Sequence, residues 1–403
     1  MILRNIPSNR TAEFGNLVDY VRSIVEYVRA YGDKALIELT RKYDRIDIDS
    51  IKLDHEDLEK CAEALPDDVK RSIDIIYSHL YSFNSIIMPS DIKIELNGMI
   101  LGIIWRSIDR IGIYVPGGRR AYPSTLFMAG VPAVVAGVKE VYISSPPTGS
   151  GCINPAIAYG ALKLSAKGVY RIGGPHAIAA MAYGTESVVK VSKIVGPGNI
   201  YVQIAKYLVR DNVDIDCIEG PTELVIVADS NADYRKIVVD MKAQAEHGGD
   251  TFIALLTPSS EIIEEVEKEL LNDTEHTYYI VMVRNIDEAI EIANSLAPEH
   301  LSLYVKDPHS YLDKIRNAGA VTLGSEPPAL VDYLGPNHIL PTNGWARTRG
   351  ALSVYDFLKP IATLYSSRTA STEIISAAKS LAEYEGFLLH RESMGVGSVQ
   401  HIK

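Results

Sequence analysis

Three cysteines in 403 residues, at positions 61, 152 and 217, are too few and too irregularly spaced for a zinc motif or a disulfide framework. The expectation is reduced thiols in a cytoplasmic protein. No histidine or basic residue adjoins Cys152 or Cys217 to lower a thiol pKa, which argues against covalent catalysis by sulfur. A basic excess is also absent. Lys and Arg number 40 against 51 Asp and Glu, a net charge of −11, so nothing is present to displace nucleic-acid counterions. The longest apolar stretch, Thr125 to Val138, is broken by Gly130, Pro132 and Gly137 and is too short to span a bilayer. Met1-Ile-Leu-Arg-Asn-Ile-Pro7 shows no charged-then-apolar leader. Low-complexity segments are lacking. So are a Gly-x-Gly-x-x-Gly and a Walker-type Gly-Lys-Ser/Thr, so the usual nucleotide fingerprints are missing.

What is present is an ordinary globular composition, 47% apolar and 23% charged, over a length that exceeds one hydrophobic core. Apolar stripes at Leu17, Val21, Ile24, Val25 and Val28, and at Val69, Ile73, Ile76 and Leu80, predict helices over about 14–43 and 67–82. From about residue 109, strand-like runs (111–115, 141–144, 169–172) alternate with helical ones (154–164, 176–183). The alternation repeats after 220, with strands at 224–228, 252–256, 279–283, 302–305 and 320–323 and helices at 234–247, 261–271, 286–296 and 309–317. A further helix is expected over 371–384. This pattern predicts an α/β protein with two doubly wound, Rossmann-like parallel-sheet domains and a cleft between them. The expected division is an N-terminal helical arm (1–105), a first Rossmann-like domain (106–220), a second (221–352) and a C-terminal tail (353–403).

Two short polar motifs carry the chemistry. Ala243-Gln-Ala-Glu-His247 places Gln244 and His247 on one face of a helix end, where an amide oxygen and an imidazole can share a metal. Ala297-Pro-Glu-His-Leu301 sets Glu299 beside His300, a carboxylate and an imidazole able to act as acid and base near neutral pH. Asp332-Tyr-Leu-Gly-Pro-Asn-His338 follows closely. Glycine turns at Gly117-Gly118, Gly173-Gly174 and Gly196-Pro-Gly198 adjoin strand or helix ends, where loop chemistry alone is the commoner reading. A bare Gln-x-x-His pair is more often incidental than a metal site, and a Glu at a helix-to-strand junction is usually solvated.

Read together, these strings follow one order: Gly112-Ile-Tyr-Val-Pro-Gly-Gly118, Pro123-Ser-Thr125, Ile194-Val-Gly-Pro-Gly-Asn-Ile-Tyr201, Gly220-Pro-Thr-Glu223, the two motifs above, Gly335-Pro-Asn-His-Ile-Leu-Pro341 and Leu352-Ser-Val-Tyr-Asp-Phe357. In that order the chain from about 106 to 392 resembles the histidinol dehydrogenases. The resemblance implies a zinc-dependent, NAD-dependent oxidation of L-histidinol to L-histidine through L-histidinal, the last step of histidine biosynthesis. It implies Glu299 and His300 as catalytic residues and Tyr114, His176 and Asn199 as NAD contacts. It implies Gln244, His247, Asp332 and His390 as zinc ligands. Substrate contacts would be Thr222, Gln244, His247, His300, Asp332, His338, Glu385 and His390. A homodimer with shared active sites is implied as well, the tail of one chain reaching the neighbour's cleft.

The chain departs from the family pattern in four places. His176 stands where the family usually has Gln, and Thr222 where it usually has Ser. Glu219 replaces a small residue. One residue, Leu334, separates Tyr333 from Gly335 where two are usual. Alternatives are a dehydrogenase of another small alcohol, or a metal-dependent hydrolase using Glu299 to activate water. The other histidines, at 55, 79, 276, 309 and 401, read as surface residues.

Overall fold

A computed structural model describes residues 1–6, 14–117, 121–366 and 371–396; Gly118 and His401 lie outside the described residues. The chain forms two compact units. One comprises Met1–Ile87 and Ile108–Phe357, the other Met88–Ser107 and the chain from Leu358 onward.

The first unit holds two six-stranded sheets. In the first, β2 (Lys52–Leu53), β5 (Arg110–Tyr114), β6 (Glu140–Ser144), β7 (Gly168–Tyr170), β8 (Lys193–Val195) and β9 (Asp214–Ile215) lie in the order β2-β7-β6-β5-β8-β9. All neighbours are parallel except the edge strand β2. In the second, β1 (Ile2–Leu3), β10 (Glu223–Ala228), β11 (Phe252–Thr257), β12 (Tyr278–Met282), β13 (His300–Tyr304) and β14 (Ala320–Leu323) lie in the order β1-β12-β11-β10-β13-β14, all parallel. Each sheet winds outward from a central first strand, β5 or β10, in both directions. This is the doubly wound Rossmann-like arrangement that the alternating pattern predicts.

The strands read as unbroken apolar runs because both faces are covered. Along β10, Leu224, Ile226 and Ala228 pack into one core and Val225 and Val227 into another. The helices that cover the second sheet are α8 (Tyr234–Ala245), α9 (Ser260–Leu270) and α10 (Ile286–Leu296). Over the first sheet lie α4 (Pro123–Val135), α5 (Pro155–Lys163), α6 (Gly174–Tyr183) and α7 (Ile200–Val209). The N-terminal arm consists of α1 (Leu17–Tyr43), α2 (His55–Glu63) and α3 (Asp67–Ile86). The α1 stripe Val21, Ile24, Val25 and Val28 joins Ala177–Ala182 of α6 and Val202 and Ile204 of α7 in one core.

Two local expectations are corrected, and one run left unassigned is placed. Residues 309–317 form no α-helix but a 3-10 helix, Pro308–Lys314, with no buried residue to hold a longer one in place. The apolar run at 125–138 is helix α4, whose residues Thr125–Ala133 are all buried, so no polar face marks its period. The expectation of reduced thiols fails for two of the three cysteines. Cys61 of α2 and Cys152, just before α5, form a disulfide with a Cα–Cα distance of 5.6 Å. They are 91 residues apart, and the packing of α2 on α5 brings them together. Cys217 is free and buried.

In the second unit, β3 (Ile92–Leu96), β4 (Met99–Ser107) and β15 (Leu358–Ser366) form an antiparallel sheet in the order β15-β4-β3. Asn97 and Gly98, both at positive φ, turn β3 into β4, as Asn-Gly does in tight hairpins. Helices α11 (Thr372–Tyr384) and α12 (Leu388–Val396) follow. Among the described residues no helix is long and apolar enough to cross a membrane.

Candidate active site

The site assembles where the carboxyl ends of the first sheet meet the amino ends of the second. His300 opens β13, Glu299 immediately precedes it, and β13 lies beside β10 with Leu224 paired to His300. Glu223, the first residue of β10, is thereby set next to Glu299. A contact from the first sheet's side closes the group: Thr125, in the first turn of α4, lies 3.2 Å through Oγ1 from His338 Nε2.

Hydrogen bonds tie the polar side chains into one chain. Gln244, buried in the last turn of α8, donates from Nε2 to Thr222 Oγ1 at 2.6 Å. Thr222 donates in turn to Glu299 Oε2, which also accepts the Glu223 N–H at 2.9 Å. His338 Nδ1 lies 2.9 Å from the Asp332 carbonyl oxygen, an acceptor only, so Nδ1 carries the proton and Nε2 faces Thr125 as an acceptor. Asp332 Oδ1 lies 3.7 Å from His300 Nε2, beyond hydrogen-bond reach. His247, three residues past Gln244 at the turn that leaves α8, is exposed.

Burial sets the charge state. The Glu299 carboxyl is pushed up to about 8 by burial and by the nearby Glu223 and Asp332 carboxylates, against the bonds from Thr222 and Glu223. Burial lifts Asp332 to about 7. His300 is pulled down to about 3 by burial and by the neighbouring His247 and His338 imidazoles, and its Nδ1 is buried with no partner. Burial also lowers His338 to about 4, partly offset by its bond to the Asp332 carbonyl. The cluster thus holds two carboxyls displaced from their charged form and neutral imidazoles. It is short of positive charge, and a cation among these oxygen and nitrogen donors would relieve that shortage. Gln244, His247 and Asp332 therefore fit a divalent metal of the zinc type. Among the described residues no group of three or more His, Cys, Asp and Glu is itself arranged to hold one. Glu385 and His390, in the second unit, are exposed.

On the first sheet, Tyr114 ends β5, and its hydroxyl accepts the Gly174 N–H at 3.0 Å. Burial pushes the phenol up to about 12. Gly196, at φ 117°, brings the loop after β8 so close that a Cβ there would lie 2.1 Å from the Tyr114 carbonyl oxygen. Asn199 caps α7 by accepting from the N–H groups of Tyr201 and Val202, which leaves its amide nitrogen pointing away. Here β5 is flanked by β6 and β8, the switch point at which doubly wound sheets take a dinucleotide, and α7 directs its N-terminus there. His176 is buried on α6, with Nε2 3.5 Å from Thr40 Oγ1 and Nδ1 unpartnered. Asp44, near Tyr114, also has a buried carboxylate oxygen without a partner. These unsatisfied groups at a switch point fit a polar cofactor.

The sequence reading leaves out Thr125 and Glu223. Both stand inside motifs it quotes, at the first turn of a helix and the first residue of a strand, and that position at an element's end is the available signal. Glu219 is accounted for by Gln203, whose amide donates to Glu219 Oε2 at 3.0 Å and accepts the Glu219 N–H at 2.9 Å.

Two doubly wound sheets with a buried carboxyl–imidazole pair at their junction define an α/β enzyme equipped for proton transfer. The family model for histidinol dehydrogenase matches residues 8–397. Histidinol dehydrogenase of Saccharolobus solfataricus is 54% identical over 397 residues, covering 98% of this chain and 99% of that protein. The enzyme of Sulfurisphaera tokodaii is 55% identical over 399 residues, with 98% and 99% covered. The crystal structure of histidinol dehydrogenase from Elizabethkingia anophelis superposes with a TM-score of 0.90 at 33% identity, covering 98% of this chain and 94% of that one. The chain belongs to the histidinol dehydrogenase family, and it is an oxidoreductase of histidine biosynthesis. The hydrolase alternative falls away.

Proposed function

We propose that the chain oxidises L-histidinol to L-histidine through L-histidinal, with NAD as hydride acceptor and zinc as the metal. The observation that supports this best is the adjacent pair Glu299 and His300, buried at the mouth of β13 beside Thr222, Gln244 and Asp332. A neutral imidazole is ready to accept a proton, so His300 takes the hydroxyl proton at Nε2 as hydride leaves the alcohol. A carboxyl brought near neutrality can move a proton either way, so Glu299 deprotonates the water that adds to the aldehyde. That water supplies the second oxygen of the product carboxylate. Gln244, His247, Asp332 and His390 would hold the zinc. Tyr114, His176 and Asn199 would contact the cofactor. When bound, zinc would hold the substrate's amine and imidazole, and NAD would accept one hydride in each step.

The proposal includes a homodimer in which Glu385 and His390 complete the site of the second copy. Around them Leu381, Tyr384 and Leu389 are exposed at 59%, 90% and 77%, apolar surface that a partner would cover. The proposed location is the cytoplasm. Disulfides occur inside hyperthermophilic archaea and bacteria though rarely in mesophile cytosol, so the Cys61–Cys152 bond and that location are compatible in such a cell. The test is a panel of small alcohols with NAD and zinc-loaded protein. Histidinol should have the highest kcat/KM, and a higher value for another alcohol would overturn the substrate assignment.

A further inference from the structure

The hydroxyl of Thr222 stands between a proposed metal ligand and the proposed base. It accepts from Gln244 Nε2 and donates to Glu299 Oε2. Proton counting fixes the direction of this relay. A hydroxyl has one proton, and an ionised carboxylate has none to give. Thr222 therefore spends its proton on Glu299 and can only accept from Gln244. Protonation of Glu299 does not reverse the order. Its Oε2 already receives the Glu223 N–H, so the carboxyl proton belongs on Oε1. The amide of Gln244 must then turn its NH2 group toward Thr222, and the opposite flip would set two acceptors face to face. Only the amide oxygen makes a metal ligand, and this orientation points it away from Thr222. Both donors to Glu299 fall on Oε2, which leaves Oε1 for the reacting water.

We propose that Thr222 is a positioning residue that couples the two halves of the site: it selects the flip of Gln244 that presents oxygen to the metal, and it aims Glu299 Oε1 at the water. The inference rests on the functional reading above and deepens it. It differs from a simple substrate contact because it acts through two neighbouring side chains and operates before substrate arrives.

The experiment measures zinc affinity by competition with a chromophoric chelator, without substrate. Thr222→Val removes the hydroxyl and keeps the shape. It should weaken zinc binding about 10–100-fold, the usual effect of losing a partner that orients a ligand. Thr222→Ser should keep wild-type affinity. In a Gln244→Glu background either ligand oxygen can face the metal, so adding Thr222→Val should cost no further affinity. At saturating zinc, Thr222→Val should slow the aldehyde step more than the alcohol step. Unchanged zinc affinity in Thr222→Val, an equal loss in the Gln244→Glu background, or a defect confined to KM would overturn the inference. Circular dichroism checks folding, and Thr222→Ala serves if the valine variant does not fold. Wild-type protein that neither binds zinc nor oxidises histidinol would overturn the functional reading itself. Wild-type protein that does both, beside a Thr222→Val variant that keeps its zinc, would overturn this inference alone.

Discussion

Glu223 and Glu299 hold each other by the backbone: the Glu223 N–H donates to Glu299 Oε2 at 2.9 Å, and the Glu299 N–H donates to Glu223 Oε2 at 3.2 Å. Two buried carboxylates thus stand side by side at the entrances of β10 and β13. Glu223 Oε1 also accepts the Asn343 N–H at 3.2 Å. Truncation to Glu223→Ala strips the acceptor from two N–H groups. Leaving a buried donor unsatisfied costs about 1–3 kcal/mol, so chemical denaturation should show a loss of at least that size. Glu223→Gln keeps an acceptor and removes the charge, and it should lose less stability.

The second prediction separates the two oxidations. Glu299→Gln keeps the shape of the side chain but cannot take a proton from water. Oxidation of histidinal should fall by about 10²–10⁴, the usual worth of a general base. Oxidation of histidinol to histidinal, which depends on His300, should fall much less. Single-turnover kinetics with each substrate measure the two separately, and equal losses would reverse the assignment of roles.

A third concerns the Cys61–Cys152 bond. It closes a loop of 91 residues between the helical arm and the first sheet. A crosslink of this kind restricts the unfolded chain and typically contributes about 2–4 kcal/mol. Cys61→Ser should lower the thermal midpoint, Cys152→Ser should lower it equally, and the double variant should add nothing further. A reducing agent should shift wild-type protein to the same midpoint and leave the variants unmoved.

The fourth is a pH effect away from the proposed metal ligands. Burial pushes the Glu219 carboxyl up to about 7, with the Asp216 charge adding to it and Lys206 opposing. The folded state therefore binds a proton that the unfolded state releases near 4.5. Stability from this group is full below about 4.5 and is lost as pH rises to about 7. Glu219→Gln keeps the acceptor for Gln203 and does not titrate. Its stability advantage over wild type should grow across that window and stay level above it, as measured by urea unfolding at a series of pH values.

The sequence shows the sheets plainly because strands buried on both faces must be apolar throughout, as 224–228 and 252–256 are. Glu299 and His300 are legible because they are neighbours. Thr222 is 22 residues from Gln244 and 77 from Glu299, so their hydrogen bonds exist only once β10, α8 and β13 have packed. The disulfide is hidden for the same reason. The sheet of β3, β4 and β15 carries local signals that the sequence reading passes over, the apolar–polar alternation of Ile92-Lys-Ile-Glu-Leu96 and the Asn97-Gly98 turn; in the structure Ile92, Ile94 and Leu96 are about half exposed.

The central claim is a four-electron oxidation at one site, and NADH stoichiometry tests it most directly. Zinc-loaded protein is given a limiting amount of L-histidinol with excess NAD, and absorbance is followed to completion while histidine is quantified. Two NADH should form for each histidine produced, with no free histidinal accumulating. One NADH per histidinol with the aldehyde released, or no NADH at all, would contradict the account.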